Sequence, residues 1–263
     1  MKKISIVIPC YNDSKSIFHM RERIEQVFKT TLYNYDYEII FVDDCSPDDT
    51  WVQIEAVCKE DNKCKGVHNA GNFGFSRNVF ATLRDYGEGD AVFMMFGDMQ
   101  DPPENLPKFV EKWEAGKKVI IGQRTAGNES KLVYGLRTLY YKVISWFATS
   151  KQVQHFNGYG LYDREFIDVM KQIDDPAPYL KGIVSEFAMD MEIVNYEQMS
   201  SERGKSNANF GKLYDLAMQG ITSYTKTLMR VATFVGALLG IFSVIMAIAV
   251  FVYKLTHWDA YSV

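Results

Sequence analysis

Through residues 1–125, short apolar, β-branched runs alternate with amphipathic stretches of helical length, and few folds accommodate that order. The runs are Ile4–Ile8, Tyr37–Val42, Gly66–His68, Asp90–Phe96 and Val119–Ile121. Between them, Ser16–Thr30, Asp48–Glu60 and Gly74–Tyr86 read as helices, and Pro102-Pro103-Glu104 opens another. Asp48 and Asp49 suit the positive end of a helix dipole. Strand–helix alternation at this spacing predicts an α/β fold with a mostly parallel sheet. Ligands of such sheets bind beyond the carboxyl ends of the strands. The polar clusters Tyr11-Asn12-Asp13, Asp43-Asp44 and Gly97-Asp98-Met99-Gln100-Asp101 fall there.

A second region is of a different kind. Val231–Tyr253 is a run of 23 residues without a charge. As a helix it would span the hydrocarbon core of a bilayer, about 30 Å thick. Gly236 and Gly240 suit close helix contact, which leaves room for a homo-oligomer. The sequence therefore divides into a globular domain over 1–225, a transmembrane helix over 231–253 and a tail over 254–263. Arg203, Lys205, Lys212, Lys226 and Arg230 outnumber Glu202 and Asp215 before the apolar run, which predicts the cytoplasmic face for the domain. The start, Met1-Lys2-Lys3-Ile4, carries no signal-peptide core, in agreement with that side. Residues 131–151 form an amphipathic pattern through Leu132, Leu136, Leu139, Val143 and Phe147; it suits a helix at the membrane interface and a core-packing helix equally.

Composition narrows the function classes. A chain with 47% hydrophobic and 24% charged residues is neither disordered, collagenous nor coiled-coil. A net charge of −4 gives no electrostatic footprint for nucleic acid. Cys10, Cys45, Cys58 and Cys64 form no CxxC pair and read as reduced thiols. The turn after the first strand, Pro9-Cys10-Tyr11-Asn12, has no glycine, so a dinucleotide fingerprint is absent, as are a phosphate-binding P-loop and a GxSxG elbow. The strongest local signal is Phe96-Gly97-Asp98-Met99-Gln100-Asp101-Pro102-Pro103-Glu104. An apolar strand runs straight into it, so Asp98 and Gln100 are expected to point to one side and offer two oxygen ligands to a hard cation, Mg²⁺ or Mn²⁺, shared with a diphosphate. The competing reading is a surface turn ahead of a helix.

The series Ser5-Ile6-Val7-Ile8-Pro9-Cys10-Tyr11-Asn12 and Glu38-Ile39-Ile40-Phe41-Val42-Asp43-Asp44-Cys45-Ser46-Pro47-Asp48-Asp49-Thr50 resembles family-2 glycosyltransferases. Asn72-Phe73-Gly74, the Asp98 run, Gly158-Tyr159-Gly160-Leu161-Tyr162-Asp163-Arg164 and Arg203-Gly204-Lys205-Ser206 follow in that family's order. With the membrane segment, the chain looks like the branch holding dolichol-phosphate mannose synthase and bacterial polyprenyl-phosphate glycosyltransferases. The resemblance implies a GT-A fold and inverting, metal-dependent transfer from a nucleotide diphosphate sugar. The acceptor it implies is a dolichyl- or undecaprenyl-type polyprenyl phosphate in the membrane. Carried over by position, Pro9, Tyr11, Asp43, Asp44 and Asn72 hold the nucleoside side of the donor. Asp98 and Gln100 hold metal and diphosphate, and Arg203 and Ser206 lie on a loop closing over the phosphates.

The sequence departs from the family's pattern twice. Phe96 stands where an aspartate is usual, and Asn157-Gly158 stand where an acidic residue is often found. Asp163 and Asp101 are the remaining acids to consider for a catalytic role. A phosphate acceptor is largely ionised at neutral pH, its second pKa being about 6, and needs little help from a base. A sugar hydroxyl would need one. Two other readings are transfer to a saccharide hydroxyl in surface-polysaccharide assembly, and a catalytically weak membrane protein that binds nucleotide sugars.

Overall fold

The computed structural model describes residues 1–125, 156–176, 178–188, 190–199, 218 and 226–257. The expected helix over 131–151, and Arg203 and Ser206, lie outside the described residues.

Strands β1 (Lys3–Cys10) and β2 (Asp36–Asp43) are buried on both faces after their first residue, as parallel strands covered on two sides must be. Helix α1 (Ile17–Thr30) joins them, and α2 (Thr50–Glu60) leads to β3 (Cys64–His68). Helix α3 (Phe75–Asp85) then carries the chain to β4 (Ala91–Met94) on the far side of β1. A short 3₁₀ turn, Pro103–Asn105, precedes α4 (Leu106–Glu114), which has proline in its first turn. Strand β5 (Val119–Arg124), β6 (Gly160–Asp163), α5 (Arg164–Met170), α6 (Leu180–Phe187) and β7 (Met191–Tyr196) complete the domain.

The seven strands lie in the order β3-β2-β1-β4-β6-β5-β7. All neighbours are parallel except β6, which runs antiparallel to both β4 and β5. Alternation along β1 divides the core. Ile4, Ile6 and Ile8 face the side covered by Met20 and Ile24 of α1 and Phe109 of α4. Val7 faces the opposite side with Val79, Phe80 and Leu83 of α3, Ile167 of α5 and Ile183 of α6. The result is a three-layer α/β unit, as the strand–helix alternation predicts.

Helix α7 (Lys226–Thr256) contains the expected apolar run. Its Arg230–Thr256 part, 27 residues of mean hydropathy 2.7 with none of its apolar window buried, is long and apolar enough to cross a membrane. Phe234, Leu239, Phe242 and Phe251 are all exposed on it.

Candidate active site

The chain turns from β1 through β2 to β3 on one side and then crosses to β4 on the other, so a topological switch point lies between β1 and β4. A cleft opens there. Its walls are Pro9 and Cys10 from β1, Phe75, Asn78 and Val79 from α3, and Phe96, Asp98 and Asp101 after β4. Arg124 at the end of β5 and Asn157 ahead of β6 close it.

Two loops are fastened to each other beneath the cleft. Asp13 accepts the Tyr11 amide at 2.9 Å and donates its own amide to Thr50 Oγ1 at 2.8 Å. A Cβ at Gly97 would lie 2.5 Å from Asp13 Oδ2, so only glycine lets the loop after β4 come this close. Ser16 Oγ completes the fastening by donating to the Gly97 carbonyl at 2.5 Å.

The segment carrying Asp98 is a turn. Strand β4 ends at Met94, and Met99 has a φ of +63°. Asp98 and Gln100 therefore do not share a side by strand alternation; the Gln100 amide instead donates to Asp98 Oδ1 at 3.2 Å. The Gln100 side-chain oxygen accepts from Gln198 Nε2 at 2.7 Å, and its backbone carbonyl accepts from the Met199 amide. Asp98 faces the cleft and Gln100 is not among the lining residues.

Asp101 is fully buried beside it. Its carboxylate accepts hydrogen bonds from the Tyr196 hydroxyl and from Asn157 Nδ2, the latter at 3.0 Å. Burial pushes this carboxyl above the usual carboxylate range, against the Arg124 guanidinium, while the charge of Asp98 adds to the rise. Burial also disfavours the charge on Arg124, but Asp101, Tyr196 and Asp98 together outweigh it and hold the guanidinium above its usual value. One cation and two carboxylates thus share this end of the cleft.

Asp43 and Asp44 are buried and internally partnered. Asp43 accepts from the Ser46 amide at 3.2 Å, from the Ser46 hydroxyl and from His68 Nδ1 at 2.8 Å. Asp44 accepts from Asn69 Nδ2 at 3.0 Å and from the amides of Phe73 and Gly74 at 2.9 and 3.0 Å. These carboxylates shape the loops after β2 and β3, and neither lines the cleft. Asn72 is exposed and caps the Gly74 amide through its side chain at 2.9 Å. Tyr11 is half-buried just past Cys10.

Asp163 is at the other end of the sheet. It pairs in register with Ala91, the first residue of β4, whereas the cleft lies beyond the last. It caps α5 by accepting the Glu165 amide, and it accepts from Trp113 Nε1 at 2.7 Å and Lys118 Nζ at 3.2 Å. In this structure its contacts are those of a helix cap, away from the cleft.

The two departures from the expected motif meet in one place. Gly158 has a φ of +117°, and a Cβ there would lie 3.2 Å from Leu180, 3.3 Å from Met94 and 3.5 Å from the Phe96 ring. At the two positions where the sequence departs from the family's pattern, this chain has an apolar corner.

The sequence profile of Glycosyl transferase family 2 matches residues 5–187, which contain every residue lining the cleft. The chain belongs to this family. Among curated relatives, the bactoprenol glucosyl transferase of Shigella phage SfV is 32% identical over 237 residues, covering 89% of this chain and 76% of that protein. The Bacillus subtilis protein that bears the glycosyltransferase name CsbB is 29% identical over 254 residues, covering 97% and 76%. Among solved structures, glucosyl-3-phosphoglycerate synthase from Mycobacterium tuberculosis, in complex with Mn²⁺, UDP and phosphoglyceric acid, superposes with a TM-score of 0.57. At 17% identity over 84% of this chain and 76% of that one, this likeness concerns the fold. It supports the GT-A architecture for this family-2 chain.

Arg124, Phe75, Asn78 and Val79 are the cleft residues that motif reading misses. Arg124 had a legible signal, as a charged residue just beyond an apolar parallel strand. Asn78 and Phe75 had none, because their place depends on where the first turn of α3 docks.

Proposed function

We propose that this family-2 enzyme transfers a sugar from a nucleotide diphosphate donor to a polyprenyl phosphate at the cytoplasmic face of a membrane. The observation that carries the reading is that Asp98 and Arg124 line one cleft at the sheet's switch point. A carboxylate there suits a cation bound to the donor diphosphate, and a guanidinium suits phosphate oxygens. The relative named bactoprenol glucosyl transferase and the exposed apolar helix α7 support a lipid acceptor.

The residues present fit a divalent cation. Asp98 offers a hard oxygen to the cleft, and Mg²⁺ or Mn²⁺ is commonly held by one or two carboxylates together with substrate phosphates. When bound, such an ion neutralises charge on the departing diphosphate. Arg124 would steady phosphate oxygens, and Asp101 with Tyr196 would steady Arg124. Pro9 and Tyr11 would flank the nucleoside, and the Asp43 and Asp44 loops would form its seat. Arg203 and Ser206 would close over the phosphates. In the transfer, an acceptor phosphate oxygen bonds to the anomeric carbon from the face opposite the donor. The bond from that carbon to the diphosphate oxygen breaks, and the nucleoside diphosphate leaves with the electron pair. The acceptor arrives ionised, so no side chain has to take a proton, in keeping with Asn157-Gly158 at the place of a base.

The test is a screen of radiolabelled nucleotide sugars against polyprenyl phosphate in vesicles, with and without EDTA. One donor should label the lipid, with activity abolished by EDTA and lowered about 10²–10³-fold in Asp98→Asn. Full activity in EDTA and in the variant contradicts the cation's part. No labelled lipid with any donor contradicts the acceptor.

A further inference from the structure

Phe96, one side of the apolar corner, lines the cleft together with Phe75. Phe96 is nearly buried, and the Phe75 ring stacks on it with centroids 5.7 Å apart and planes 18° apart. Phe75 itself is 58% exposed although it lines a cleft, so much of a preformed aromatic pair is left to solvent. Two amide side chains line the same cleft. Asn78 is buried, with its side-chain oxygen accepting from Asn69, and Asn157 donates to Asp101. Asp98 is two residues beyond Phe96 on the same turn.

We propose that the Phe75–Phe96 pair is a stacking platform for the sugar ring of the donor, and so a determinant of which sugar is accepted. The inference rests on the reading of the substrate as a nucleotide diphosphate sugar. A pyranose has an apolar C–H face and a hydroxyl rim. A cleft lined by an aromatic pair and by amides, with the Asp98 carboxylate beside them, complements both parts. A polyisoprenyl chain would instead call for a continuous apolar strip without amides. The nucleoside is the competing occupant, because Phe75 follows the Asp44-held loop that would seat it, and comparing nucleotide sugars with their nucleoside diphosphates decides between the two.

The experiment uses the full chain in detergent micelles with Mn²⁺. It compares the affinities of UDP-glucose, UDP-galactose, UDP-N-acetylglucosamine and GDP-mannose with those of UDP and GDP. Because Phe75 is exposed, Phe75→Ala, Phe75→Leu and Phe75→Trp should all fold, which thermal melting checks. For the nucleotide sugar that the unaltered chain prefers, alanine and leucine should weaken binding about five- to tenfold, and tryptophan should restore it. Affinity for the matching nucleoside diphosphate should stay within about twofold. Equal loss for both ligands places the ring on the nucleoside and overturns the platform. So does full affinity in Phe75→Leu, which shows that apolar bulk suffices. No change in either ligand, or a change confined to the Michaelis constant for polyprenyl phosphate, overturns it as well. If the unaltered chain binds none of the four sugars, the donor reading itself fails and the platform falls with it.

Discussion

Glu38 shows how one side chain in this sheet sets a pH dependence. It is almost fully buried on β2, where it accepts from Ser5 Oγ at 2.7 Å and pairs with Lys65 at 2.7 Å and Lys3 at 2.9 Å. Burial alone would raise its carboxyl, but the hydrogen bonds from Lys65, Ser5 and Lys3 outweigh it and hold the pKa down at about 2. A folded-state pKa below the unfolded value means stability that is complete above the unfolded pKa, about 4.3, and lost as pH falls toward about 2. Glu38→Gln should therefore cost on the order of 2–3 kcal/mol at pH 7 and flatten the acid limb of the stability curve below pH ~4.5. Denaturant melts between pH 2 and 7 measure it; an unchanged acid limb would contradict the assignment. At the same scale, Asp44→Ala should disturb the cleft indirectly. It releases the amides of Phe73 and Gly74 and so loosens the start of α3, which should weaken nucleotide-sugar binding and lower stability by about 1–3 kcal/mol. Normal stability with weakened binding would instead make Asp44 a direct ligand. The motif Asp43-Asp44 was legible as a pair at a strand end, but which atoms its carboxylates would satisfy was not. That depends on the loop after β3 and on the first turn of α3, both remote in sequence.

The elements divide by how much they owe to their own sequence. Strands β1, β2 and β5 are legible because strands buried on both faces must be continuously apolar. Strand β6 is not legible, since Gly160-Leu161-Tyr162-Asp163 has neither length nor alternation to announce it. It is a strand because β4 and β5 pair with it on both edges. The turn after β4 misleads for a related reason: the apolar run Ala91–Phe96 looks like strand to its end, yet pairing stops at Met94 and Met99 turns left-handed. Asp163 at the β6–α5 junction carries a prediction of its own. Losing the cap and the partner of the Trp113 indole should cost about 1–3 kcal/mol in Asp163→Ala. Transfer rates at a temperature where the variant is folded should not change. A selective drop in kcat with stability intact would return Asp163 to the chemistry.

At the scale of the whole molecule, a folded α/β domain with a site at its switch point is coupled to a helix that leaves its apolar side chains uncovered. That combination fits an enzyme whose donor is water-soluble and whose acceptor stays in the bilayer. Removing residues 231–263 should leave nucleotide-sugar affinity within about twofold while lowering transfer to vesicle-embedded polyprenyl phosphate at least about tenfold. Equal transfer by the shortened chain would separate the helix from acceptor use. The central claim concerns the acceptor, and the identity of the labelled product tests it most directly. With membranes containing polyprenyl phosphate and the preferred labelled donor, the account predicts an organic-soluble product. Mild acid should release the free sugar from it, as expected for a sugar joined through one phosphate to a lipid. Label recovered only on a water-soluble or acid-stable saccharide would contradict the account and assign the enzyme to a hydroxyl acceptor.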